Sequence, residues 1–74
     1  MPPPNRKNVA SLTRCVNACA VGDTACVDNC ENEFMTGQGN TVAFVNGGKV
    51  FYDTVGGKVF INASGVTGPT PPGY

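Results

Sequence analysis

The residues of this chain with the widest chemical reach are its four cysteines, and all of them fall within Cys15 to Cys30, C-V-N-A-C-A-V-G-D-T-A-C-V-D-N-C. They form two Cys-x3-Cys pairs with six residues between them. Thiols so arranged have three chemistries open to them. They can oxidise to two structural disulfides, hold a zinc ion as four thiolates, or stay reduced as small buried hydrophobes. Redox catalysis fits poorly, because the chain has no Cys-x-x-Cys and no His to hold a thiolate at low pKa. Arg14, beside Cys15, reads as a solvated charge on the outer face of a helix.

Nothing else in the sequence offers a catalytic group. General acid–base chemistry most often uses His, which is absent, and Asp23, Asp28, Glu31, Glu33 and Asp53 form no pair at a catalytic spacing. Asp28, Glu31 and Glu33 read as the solvent face of a helix. A hard cation would want several oxygens converging from a shaped loop, so no metal site is assigned to them. Lys49 and Lys58 each follow a Gly-Gly pair, yet no phosphate-loop pattern is present. The sequence therefore predicts no enzyme, no cofactor and no small-molecule substrate.

The elements that position the cysteines follow from their spacing. Four residues are about one helical turn, so each pair belongs on one face of a short helix. Gly22-Asp23 marks the turn between the two helices: Gly can end the first in a left-handed conformation, and Asp23 or Thr24 can cap the second. An antiparallel hairpin folded there pairs Cys19 with Cys26 and Cys15 with Cys30, as two nested rungs. A bridge within one helix, between positions i and i+4, would distort the geometry a disulfide requires. The outer rung closes a loop of about 16 residues, which the loop-entropy model values at roughly 3 kcal/mol, and the inner rung adds less. Zinc remains the second reading, although zinc spacing is usually shorter within a pair and longer between pairs.

Such staples suit the length. A chain of 74 residues has room for one domain, and at this size it buries only about 60% of its unfolded surface. Five basic and five acidic residues cancel. That balance leaves no electrostatic footprint for nucleic acid or an anionic membrane, and no apolar run is long enough to cross a bilayer.

The expected organisation is a small α+β fold with five segments. Residues 1–8 form an extended Pro-rich arm with a basic patch at Arg6 and Lys7. Residues 9–35 form the helical hairpin. Its first helix places Val9, Leu12, Val16 and Cys19 on one stripe behind an Asn8 cap, and its second runs from about Thr24 to Phe34 with Cys26, Val27, Cys30 and Phe34 inward. Residues 36–40 are a Gly-rich hinge, and residues 41–64 a three-stranded antiparallel β-meander. Residues 65–74 are a Pro/Gly-rich tail ending in Tyr74. Within the meander Gly47-Gly48-Lys49-Val50-Phe51 recurs as Gly56-Gly57-Lys58-Val59-Phe60, nine residues on. Turns at Gly47-Gly48 and at Gly56-Gly57 set Val45 against Val50, Phe44 against Phe51, Asp53 against Phe60 and Tyr52 against Ile61. Slipping the first turn to Asn46-Gly47 moves the first strand to the other face.

In the first register one face carries Ala43, Val45, Val50, Tyr52, Val59 and Ile61. The other carries Val42, Phe44, Phe51, Val55 and Phe60. A small helical hairpin covers only one of them. The second set, with Tyr74, is therefore the expected surface for another protein chain, unless tails fold back over it. Asn62-Ala63-Ser64 matches a glycosylation sequon, discounted because no leader is seen.

The twin Cys-x3-Cys hairpin resembles those of the small mitochondrial intermembrane-space chaperones and of the plant α-hairpinin peptides, over Cys15 to Cys30 alone. Both groups have a longer segment between their motifs and neither normally carries a glycine-punctuated sheet. The resemblance implies convergence on a two-bridge hairpin, not membership. Paired cysteines without a signal peptide suit the intermembrane space, a virus particle that oxidises, or a secreted chain whose leader has been removed. Arms, an apolar sheet and the lack of catalytic groups point to a non-enzymatic assembly protein, such as a minor or cementing subunit of a virion or other shell, bound to larger protein neighbours. The alternatives are a secreted disulfide-rich effector, toxin or inhibitor, found outside the cell, and a four-cysteine zinc-binding interaction module.

Overall fold

The computed structural model describes residues 7–74; the expected Pro-rich arm lies outside the described residues except for its last two. Two helices, α1 (Val9–Asn17) and α2 (Thr24–Met35), precede four strands, β1 (Thr41–Val45), β2 (Gly48–Tyr52), β3 (Lys58–Asn62) and β4 (Thr67–Gly68). The strands form one antiparallel sheet in the order β1-β2-β3-β4. The α+β class is as expected, and the sheet has one strand more than the sequence reading gave it.

Asn8 caps α1, its side chain accepting from Ser11 N while the Ser11 hydroxyl accepts from Asn8 N, a reciprocal pair that satisfies two otherwise orphaned donors. Asp23 caps α2 by accepting from Cys26 N, and Gly22 turns the chain at φ 83°. Cys19 is a correction. It sits past the end of α1, which closes at Ala18, and its N–H donates to Val16 O in a tightened last turn. The segment expected as a loose hinge is also tied down. Asn40, buried, donates from Nδ2 to both Lys7 O and Phe34 O.

The core joins Leu12 and Val16 of α1 and Val27, Cys30 and Phe34 of α2 to Phe51, Val59 and Ile61 of the sheet, with Val9, Cys19 and Val42 against its margin. Phe34 meets Phe51 edge to face at 5.7 Å between ring centroids.

Both first-choice registers are corrected. The β1–β2 turn is Asn46-Gly47, with Val45 opposite Gly48, Phe44 opposite Lys49 and Val42 opposite Phe51, which is the slipped register. Gly48 is the first residue of β2, and only glycine fits there, because a Cβ would collide with the Ile61 carbonyl oxygen. The β2–β3 connection is a five-residue loop in place of a Gly56-Gly57 turn. Asp53 organises it, its Oδ1 accepting from Val55 N and Gly57 N, with Gly56 at φ 94°. Tyr52 therefore faces Lys58, Phe51 faces Val59 and Val50 faces Phe60.

The loop recurs nine residues on. Asn62 Oδ1 accepts from Ser64 N and Val66 N, Gly65 takes φ 82°, and the chain turns into β4, which pairs Phe60 with Gly68 and Ile61 with Thr67. The Thr67 hydroxyl donates to Asn17 Oδ1 and so joins the sheet edge to α1.

Candidate functional site

Strand alternation and the observed register put Val42, Phe44, Lys49, Phe51, Val59 and Ile61 on the sheet face that meets the helices. Phe51 is 1% exposed and Val42 packs on the core, so neither presents a surface to a partner. Phe44 is different. It shares their face, yet it is 78% exposed, because it stands at the end of β1 beyond the reach of α2.

There the sheet and α2 diverge around a cleft of about 230 Å³, lined by Thr24, Val27, Asp28 and Glu31 of α2 and by Phe44, Lys49 and Ile61 of the sheet. Glu31 is buried, and its Oε1 accepts from Lys49 Nζ at 2.9 Å. Lys49 Nζ in turn lies 5.8 Å from the centre of the Phe44 ring. Glu31 is sheltered while the Lys49 side chain stays 38% exposed, so the pair adds little stability and serves mainly to fix where Lys49 and the ring stand. The cleft therefore combines an apolar floor, an exposed aromatic and a held ion pair.

Asp23 caps α2, Glu33 pairs with Lys7 at 3.1 Å, and Asp53 accepts from backbone N–H groups, among them Val9 N at 2.9 Å, which ties α1 to the β2–β3 loop.

The opposite face carries Ala43, Val45, Val50, Tyr52 and Phe60. Val50 is fully enclosed there and Phe60 half-buried. Lys58 Nζ, 5.9 Å from the Tyr52 ring centre, donates to the Tyr74 carbonyl oxygen at 2.7 Å, so the described tail returns along this face from β4. Of the six residues expected to meet a partner, Phe44, Val55 and Tyr74 are exposed, Phe60 is half-buried, and Val42 and Phe51 belong to the core. Val55 and Tyr74 lie outside the strands, away from Phe44 in the chain. Val21 and Val66, which the sequence reading passed over, are also exposed, at a second cleft of about 190 Å³ beside Val16 and Val27.

The cysteines are oxidised as expected, Cys15 to Cys30 and Cys19 to Cys26, with Cα–Cα distances of 5.7 and 5.8 Å. The rungs touch: Cys19 Sγ lies 3.8 Å from Cys30 Sγ. No family model, no curated protein and no solved structure matches the chain.

Proposed function

We propose that this chain is a non-enzymatic structural protein that docks on a larger protein neighbour through Phe44, the adjoining cleft and the outer edge of β1. The observation that carries this reading is the exposure of Phe44 on the core-facing side of the sheet. A ring so placed stands over the cleft between α2 and the sheet, and β1 is an edge strand of the sheet among the described residues. An extended or helical segment of a partner would bury Phe44 against the cleft floor and leave the Lys49–Glu31 pair at the rim. A minor or cementing subunit of a virion or other protein shell is the kind of role that suits such a piece, since the two bridges keep it rigid while its surface is spent on contact.

One observation favours a second reading, a secreted disulfide-rich peptide acting as a free monomer. The described tail comes back to the sheet face opposite the helices, where Lys58 donates to the Tyr74 carbonyl oxygen and Val50 is fully enclosed.

A photoreactive phenylalanine analogue at position 44, introduced into the chain in its native setting, tests the docking reading. It is expected to yield one discrete heavier adduct on illumination, whereas the same analogue at exposed Asn32 yields none. Equal labelling at both positions, or none at 44, would remove the docking surface.

A further inference from the structure

The two bridges lie against each other, three of their four sulfurs forming one cluster to which the fourth is bonded. Sγ atoms of Cys19, Cys26 and Cys30 all lie within 4.8 Å of one another, and Cys15 is bonded to the last of them. In a tetrahedral four-thiolate zinc site, Zn–S bonds of about 2.3 Å place the sulfurs about 3.8 Å apart. The unbonded pair Cys19–Cys30 already has that separation, 3.8 Å. The two bonded pairs would have to part, and the flanking backbones stand 5.7 and 5.8 Å apart at Cα, within side-chain reach of a shared ion.

We propose that reduction converts this hairpin from a two-disulfide staple to a site for one zinc ion, held by Cys15, Cys19, Cys26 and Cys30. Two equivalents of a dithiol each break one S–S bond and close to their own cyclic disulfide, delivering four electrons and four protons in all to the cysteine sulfurs. Zn²⁺ then displaces the four protons and leaves a four-thiolate complex of charge −2. The surroundings favour a metal-bound thiolate over a bare one. Cys30 is 4% exposed among Val16, Val27 and Phe34, where a bare thiolate would lose its hydration. Cys26 lies in the first turn of α2, where the helix dipole favours negative charge. The expected swap is exclusive, because the sulfurs that bind zinc are those consumed by the bridges. This inference rests on the hairpin alone and stands or falls apart from the docking reading.

The test uses the full chain, reduced anaerobically with a phosphine and titrated with Co²⁺, then with Zn²⁺. The expected result is one Co²⁺ per chain, with thiolate charge-transfer and tetrahedral d–d absorption that Zn²⁺ abolishes, and neither band in the oxidised chain. Cys19→Ser and Cys26→Ser are each expected to weaken Co²⁺ binding by about 100-fold or more, beyond what loss of a mere supporting partner costs. Far-UV circular dichroism of the same samples reports whether the hairpin reforms as metal is added, so a reduced chain that starts unfolded still gives an answer. Absence of the tetrahedral bands, or unchanged binding in both serine variants, would overturn the proposal.

Discussion

The helical hairpin and the sheet hold their shapes by different means. In the hairpin, short helices with capped ends face each other across a turn, and two covalent rungs fix their pairing whatever the side chains around them do. In the sheet nothing is covalent, and which residue faces the core depends on loop length. The repeated Gly-Gly-Lys-Val-Phe unit makes this concrete. Phe51 of the first copy lies in the core, while Phe60 of the second points to the opposite face, because pairing sets each Phe against a Val of the other strand. Identical letters thus serve opposite faces. Covalent pairing can be read from cysteine spacing, whereas side-chain facing is settled by register, and register by the loops.

That contrast can be broken in graded steps. The largest effect is expected in the sheet core: Phe51→Ala removes a fully buried ring and its edge-on contact with Phe34, and should cost about 3–5 kcal/mol in urea unfolding. Removing the outer rung with Cys15→Ala and Cys30→Ala should cost roughly 3 kcal/mol by the same measurement. The inner rung, closing the shorter loop within it, should cost less when removed alone. Equal losses for the two rungs would argue against the nested arrangement. Gly48→Ala pushes a methyl into the Ile61 carbonyl and should cost about 1–3 kcal/mol, whereas Gly47→Ala meets no neighbour and suffers only from its φ of 87°. Asp53→Ala takes acceptors from Val9 N, Val55 N and Gly57 N together. A loss of about 1–3 kcal/mol is expected, with faster amide exchange at Val55 and Gly57. Phe44→Ala, at an exposed site, should change stability by no more than about 0.5 kcal/mol while it abolishes docking.

Much of the hairpin was legible. Cysteine spacing predicts both rungs, Gly22-Asp23 the turn, and Asn8 the first cap, because each depends on residues within a few positions of one another. Cys19 departs from its helical stripe because Asn17 and Ala18 already close α1 in a tightened turn. The sheet was legible in class and strand composition but not in register. Gly-Gly reads as a two-residue turn, yet Asp53 captures the following N–H groups and lengthens the loop, and Gly48 is a glycine for lack of space beside β3. The fourth strand left a signal in the same period of nine. Asp53-Thr-Val-Gly56 and Asn62-Ala-Ser-Gly65 share a capturing side chain and a left-handed glycine, so the repeat extends past the second copy of Lys-Val-Phe. The candidate site was legible as Phe44 alone. Lys49 and Glu31, distant in sequence, meet only once α2 is laid on the sheet.

The docking reading is tested most directly by the native mass of the chain isolated from its source without reductant. The account predicts a chain lighter than its reduced form by about four hydrogens, one pair for each bridge, and held with a larger protein in a complex that Phe44→Asp dissolves. An oxidised chain that runs as a bare monomer, unchanged by Phe44→Asp, would contradict it.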